Sequence, residues 1–422
     1  MLSISAMANG QENYYLNLAR EDYYLAGGEP PGIWHGKGAS DLGLSGQVQG
    51  EALTQLLKGF HPHDGRALIQ NAGDNNHQPG WDLTFSAPKS VSVAWSQATS
   101  DTQRLIQQAH AAAVRAALSY IEQAASITRR GKNGVELKQA HLIVATFEHG
   151  TSRAQDCQLH THALLINVCT TEGDGQTRTL LSHPVYKAKM TAGAVYRAEL
   201  AHQLEQSLGW SIERKGQNFE VAGVSQELSR VFSTRRREIE AALTSFNSDS
   251  AAAAAAATHS TRRAKLHVPR EQLFRQWRQT GQAHGWSTLD AEALSRPLPK
   301  RDPRFETAEA LQSATERVTA QQSFFSEQSF VRALAEESPG RGLGAAALLE
   351  AAARHLDKNP EIVSLGRRGG QRLFTTREML QLEEELLASV ERSRSQATPG
   401  VSEKTTDAVI TSRGEKLSDE QA

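Results

Sequence analysis

The sequence predicts an α+β protein, on three observations. MLSISAM, WDLTF, AHLIVATFEHG and QLHTHALLINV are short runs with the composition and period of β-strands. The last two are separated only by the polar stretch TSRAQDCQ and make a hairpin-like pair. Two long stretches, residues 101–125 and HPVYKAKMTAGAVYRAELAHQLEQSLGW, are helical in composition, rich in Ala, Leu and Gln.

Taken in order, MLSISAM is a first strand, and QENYYLNLAREDYYLAGGEPPG starts helical and breaks at Gly27, Gly28, Pro30 and Pro31. IWHGKGASDLGLSGQV reads as a glycine-rich loop, with Trp34 and Lys37 suited to packing or to a nucleic-acid groove. EALTQLLKGF is a short helix, and WDLTF is a strand that carries Asp82. SAP starts the next helix, with Ser86 as N-cap and Pro88 near the first turn. TRRGKNGVE reads as a polar turn into the histidine hairpin, and TRTLL as a short strand. The long helix that follows ends at Gly209, and WSIERKGQNFEVAG is a hairpin with Gly216 at its tip. SQELSRVFSTRRREIEAALTSF is one amphipathic helix, SDSAAAAAAATHST a low-complexity break, and VPREQLFRQWRQTGQAHGW another helix. PLPKRDPRF, with three prolines, marks a domain boundary. Beyond it, SFFSEQSFVRALAEESPGRGLGAAALLEAAARHL reads as helix, turn, helix, and EIVSLGRRGGQRLFTT as a hairpin around Gly369-Gly370, an order like that of a winged helix. A further helix, TTREMLQLEEELLASVERS, precedes a polar, loose tail at 396–422.

Composition excludes several classes. At 422 residues, 39% hydrophobic and 22% charged, the chain suits two or three soluble domains. It has no apolar run of membrane-spanning length, and MLSISAMANG is not a signal peptide, so a cytoplasmic location is expected. Cys157 and Cys169 make neither a disulfide framework nor a zinc motif. The net charge of −1 argues against a uniformly basic protein, but basic clusters stand at Arg129, Arg130 and Lys132, at Arg235 to Arg237, at Arg262, Arg263 and Lys265, and at Arg367 and Arg368.

The chemistry gathers at two places. His149, His160 and His162 lie on the paired strands, and His160 and His162, at i and i+2, share one face. Neutral imidazole is the commonest protein metal ligand. Spacing alone is weak evidence, since His61 and His63 repeat it around Pro62 with no strand to aim the rings. The second place is the N-terminal region, where four of the seven tyrosines form the pairs Tyr14-Tyr15 and Tyr23-Tyr24 among polar neighbours. A phenol is a poor nucleophile at its ordinary pKa of about 10. It can attack a phosphodiester when a metal ion polarises the phosphate, and the phosphotyrosine ester conserves the bond energy for rejoining. Asp82 is placed either to orient a histidine or to assist the tyrosine's proton transfer.

NYY, DYY, WHGKGASDLGLSG, DLTFSAPKSVS and FEHGTSRAQDCQLHTHALLIN, in this order over residues 1–245, resemble the MobF class of conjugative relaxases, the TrwC/TraI family of HUH endonucleases. The resemblance implies a central antiparallel sheet flanked by helices, with a helical lid over single-stranded DNA. The expected organisation is a relaxase domain over 1–300, with its core at 1–245 and the lid at 225–300. A small winged-helix-like domain at 301–395 resembles the start of a helicase region, as does the final KLSDEQ. The chain has no Walker A motif, so it is expected to stop before an ATPase begins, and no ATPase activity is expected.

By the same resemblance, Tyr14 matches the tyrosine that nicks the transfer origin and takes the 5′ phosphate. Tyr23 matches the second catalytic tyrosine, and Tyr15 and Tyr24 match supporting neighbours. His149, His160 and His162 match the metal ligands, and Asp82 the acid beside them. Tyr14 and Tyr23 stand slightly further apart than the family pattern implies. One divalent cation is expected, magnesium or manganese from the family, with zinc or nickel also suited to imidazole. Lys89, Arg153, Arg235 and Arg237 are candidate nucleic-acid contacts. Expected partners are single-stranded DNA with a hairpin at the transfer origin, relaxosome accessory proteins and a coupling protein, with the chain itself a monomer. The alternatives are a rolling-circle replication initiator with the same chemistry, and a non-catalytic DNA-binding adaptor holding a structural metal.

Overall fold

The structure, a computed structural model, describes residues 1–7, 30–131, 134–172, 174–246, 250, 268–395, 400 and 402–413. Tyr14, Tyr15, Tyr23 and Tyr24 lie outside the described residues, as does most of the alanine-rich stretch.

The first half of the chain forms β1 (Leu2–Ala6), β2 (Ile33–His35), α1 (Lys37–Asp41), α2 (Gly50–Leu57), β3 (Gly80–Ser86), α3 (Lys89–Gln97) and α4 (Ser100–Ala125). Next come β4 (Ile127–Arg130), β5 (Glu136–His141), β6 (Val144–Thr151), β7 (Cys157–Ile166), β8 (Cys169–Thr171), β9 (Thr177–Arg178) and α5 (Ser182–Leu208). The central sheet has the order β1-β3-β7-β6-β2, antiparallel at every pairing, as expected.

Alternation along the strands gives this sheet two different faces. Leu83, Phe85, Ala163 and Leu165 face one way and join the core made with α4 and α5. In α4 the buried Ile106, Ala109, Ala113, Ala117 and Ile121 recur at helical spacing, and the small residues Ala188, Ala192 and Ala201 let α5 lie close along it. On the opposite face Ala145, Phe147, Leu164 and Ile166 pack under Leu53, Leu56 and Leu57 of α2. The expected end of α5 is met: Gly209 adopts φ 66°, and its N–H bonds back to Glu205 O.

The chain continues through β10 (Ile212–Lys215), β11 (Asn218–Val221), α6 (Gln226–Val231), α7 (Thr234–Phe246), α8 (Arg270–Ala283) and α9 (Thr288–Glu292). Then follow α10 (Pro303–Thr319), β12 (Phe325–Ser326), α11 (Glu327–Glu337), α12 (Ala345–Lys358), β13 (Ile362–Arg368), β14 (Gln371–Thr376), α13 (Arg377–Ser395) and α14 (Glu403–Arg413). From α10 to β14 the order is helix, strand, two helices, two strands, with the sheet β12-β14-β13. This module packs on α5 through α11, where the buried Glu336 meets Arg197, Arg317 and Arg332.

Several local expectations are corrected. The stretch expected to be a glycine-rich loop forms β2 and α1, because Trp34 is buried and pairs with Ala145 on β6. The presumed polar turn begins with a strand: β4 pairs with β5 in a second sheet, β4-β5-β8-β9. Its polar side chains mark a partly exposed sheet rather than a turn. The single helix expected at 225–246 is two, since Phe232 turns into the core and breaks it. Ser86 belongs to β3, and α3 starts after Pro88 with no side-chain cap. Residues 403–413 are helical where a loose tail was expected.

Candidate metal centre

Register brings the three histidines together. His149 on β6 stands directly opposite His160 on β7, so both project to the same face, and His162 follows at i+2. Ring centroids are 5.3 Å apart for His149 and His160, 5.1 Å for His149 and His162, and 5.1 Å for His160 and His162. One ligating atom from each lies within 4.8 Å of the others. The cluster continues the face on which Phe147 and Leu164 pack, just past the edge of that core.

Hydrogen bonds orient two of the rings. His162 Nδ1 donates to Asp82 Oδ2 at 2.7 Å, and Thr84, opposite His162 on β3, donates its hydroxyl to Asp82 Oδ1 at 3.2 Å. His160 Nδ1 donates to Gln158 O at 2.8 Å. With Nδ1 engaged in each case, Nε2 carries the lone pair available to an ion. A buried carboxylate behind a ligating imidazole, as here with Asp82 at 5% exposure, is a common arrangement at metal sites. The donor set therefore fits one divalent transition ion. Among the described residues no other His, Cys, Asp or Glu joins the three. His61 and His63 instead sit in a loop where His61 Nδ1 meets Asp64 at 3.1 Å.

The reverse side of β7 is held by His110, fully buried in α4. Its Nε2 is hydrogen-bonded to Thr161 Oγ1 and its Nδ1 to the Tyr196 hydroxyl, both at 2.8 Å. Burial, with smaller contributions from His160 and the N-terminal ammonium, lowers its pKa to about 3.

The candidate DNA contacts separate into two groups. Lys89 turns inward: its ammonium donates to Cys157 O at 2.9 Å, and burial lowers its pKa against the opposing pull of Cys157 and Asp156. Arg235 is mostly covered at 17% exposure and lies 3.9 Å from Glu238. Arg153 lies on the turn between β6 and β7, and Arg237 is exposed on α7, donating to Thr234 Oγ1 at 3.1 Å. The thiol of Cys157 is buried, and burial raises its pKa to about 11, which makes it an inert core group.

One basic feature has only part of its signal in the linear sequence. Arg129 and Arg130 of β4 meet Arg178 of β9 across a cleft of about 800 Å³ that Asn71, Thr177 and Thr179 also line. The first two belong to a visible basic cluster, but Arg178 joins them only through the pairing of the second sheet.

The sequence model described as TrwC relaxase matches residues 8–284. The chain is 37% identical over 300 residues to the multifunctional conjugation protein TraI of Escherichia coli, an alignment covering 66% of this chain and 16% of that protein. It thus spans about one sixth of the length of that relative. Among solved structures it is similar to the conjugative relaxase TrwC in complex with oriT DNA in a copper-bound form, with a TM-score of 0.61 and 33% identity over 68% of this chain and all of that one. It is likewise similar to TrwC complexed with a 27-mer DNA comprising the recognition hairpin and the cleavage site, with a TM-score of 0.59 and the same identity and coverage.

Proposed function

Because the chain belongs to the TrwC relaxase family, we propose that it nicks one DNA strand at a plasmid origin of transfer and later rejoins it, by tyrosine transesterification. The observation that carries this reading is the three-imidazole cluster backed by Asp82 and lacking a fourth protein ligand among the described residues. The solved TrwC relatives hold oriT DNA, so the substrate proposed here is single-stranded DNA beside a hairpin.

Tyr14 is the proposed nucleophile. Its phenol oxygen forms a bond to phosphorus, the bond from phosphorus to the 3′ oxygen breaks, and the phenol proton is given up as the 3′ hydroxyl is released. A 5′-phosphotyrosyl ester results, and a free 3′ hydroxyl reverses the step without ATP. Tyr23 serves the second transfer, with Tyr15 and Tyr24 supporting. His149, His160 and His162 hold one divalent cation, which when bound polarises the scissile phosphate and offsets its developing charge. An all-nitrogen set suits manganese, nickel, copper or zinc better than magnesium. Asp82 orients His162 through the 2.7 Å bond and keeps its Nε2 turned toward the ion.

Arg153 and Arg237 are proposed to contact the single strand. The cleft of Arg129, Arg130 and Arg178 suits the phosphates of the hairpin arm. Relaxosome accessory proteins and a coupling protein are the proposed partners, with a monomer acting in the cytoplasm. No described helix is long and apolar enough to cross a membrane.

The test is incubation with a panel of single-stranded oligonucleotides carrying a hairpin and candidate nick sites, with manganese or with EDTA. Site-specific cleavage that stops in EDTA, with a denaturation-resistant protein–DNA adduct, is expected. Cleavage at full rate in EDTA, or cleavage with no adduct, would overturn the reading.

A further inference from the structure

The turn between β6 and β7 is tied to more of the fold than a hairpin needs. Ser152 closes it from within: its N–H donates to Asp156 O at 2.9 Å, and its Oγ accepts from the N–H of Ala154 and of Asp156, each at 3.2 Å. Gln155 is held at φ 66°, the only non-glycine positive φ among the described residues. Two helices then grip the closed turn. The Asp156 carboxylate accepts the N–H of Arg235 at 3.4 Å and bonds from Thr234. It thus caps the start of α7, where unsatisfied amides favour an anion. Gln155 O accepts the indole N–H of Trp277, on α8, at 2.8 Å. From α3 the Lys89 charge acts on Asp156 while its ammonium holds Cys157 O.

This turn also sets the metal geometry. Thr151 pairs with Cys157 and His149 with His160, so one residue of β6 faces two of β7 between these pairs. The bulge contains Gln158, whose carbonyl orients His160. Its position decides which residue of β7 stands opposite His149. Leu159 N–H is pinned by Ser92 Oγ at 3.1 Å, which fixes the far side of the bulge.

We propose that Asp156 is a positioning residue for the metal triad. Its buried carboxylate joins the first turn of α7 to the β6–β7 turn, and with Gln155 on Trp277 it fixes the bulge that opposes His149 to His160. The inference rests on reading those histidines as the metal ligands.

The test compares Asp156→Asn and Trp277→Phe with wild type in the full chain. Trp277→Phe removes the indole donor to Gln155 and leaves a smaller ring against Trp95 and Phe274, so it tests the same turn through its second anchor if Asp156→Asn fails to fold. Three readouts are taken: Co(II) titration by visible absorption, thermal unfolding, and kcat and KM on an oligonucleotide that wild type cleaves. Co(II) affinity should fall about tenfold with an altered absorption band. The loss in cleavage should appear in kcat, with KM for DNA within about twofold of wild type. Wild-type Co(II) affinity and absorption in the folded variants, even with a lowered Tm, would overturn the proposal and leave Asp156 a structural cap. Wild type that binds Co(II) but cleaves nothing would defeat the proposed function instead, and the Co(II) data would still decide the role of Asp156.

Discussion

Asp82 Oδ2 lies 2.7 Å from His162 Nδ1, across the β3–β7 pairing and two residues along from Thr84, which stands opposite His162. A carboxylate so placed fixes both the tautomer and the plane of the ring. Asp82→Ala should weaken divalent-metal affinity about 10- to 100-fold, and Asp82→Asn less, because the amide oxygen still accepts the Nδ1 proton. Isothermal titration with Mn(II) measures this; unchanged affinity in Asp82→Ala would remove Asp82 from the site.

His110 predicts a pH dependence of stability. Its folded pKa, about 3, lies below the ordinary histidine value of 6.5 given by exposure to water. Below pH 6.5 the unfolded chain therefore binds the proton that the folded chain refuses. The contribution is complete above pH 6.5 and is lost progressively as the pH falls toward 3. Each pH unit in that window costs up to about 1.4 kcal/mol. Denaturant unfolding at pH 7 and pH 4.5 should show wild type losing up to about 2.5 kcal/mol more than His110→Gln. An identical loss in both proteins would mean that His110 is protonated in the folded state.

Gly150 follows His149 where β6 passes Trp95. A Cβ there would lie 2.5 Å from the buried indole, well inside contact distance. Gly150→Ala should destabilise the fold by about 1–3 kcal/mol through overpacking. It should also loosen metal binding, because the displaced backbone carries His149. A Tm equal to that of wild type would show that Trp95 can give way.

The histidines were legible in the sequence because two signals coincide, the two-residue period of a strand and a second strand close by. His61 and His63 had the same spacing without the strand and form no such cluster with a third ligand among the described residues. Asp82 was legible as an acid on a strand, but its two possible roles were not separable, since register against β7 decides what it reaches. Lys89 shows the limit most clearly. A lysine behind a proline at a helix start gives no sign that its ammonium turns inward to Cys157 O. Arg178 and Asp156 were missed for the same reason, as their partners lie on elements distant in sequence. β2 and β4, expected as loop and turn, are polar or glycine-rich segments made into strands by their neighbours.

The central claim is that a tyrosine of the first pair takes the phosphate. The measurement that tests it is peptide mapping by mass spectrometry of the adduct formed with a cleavable single-stranded oligonucleotide, in wild type and in Tyr14→Phe. The account predicts a nucleotide mass on Tyr14 in wild type, and loss of the first-cleavage adduct in Tyr14→Phe with DNA binding nearly intact. A normal yield of adduct in Tyr14→Phe, or a wild-type modification mapped elsewhere, would contradict it.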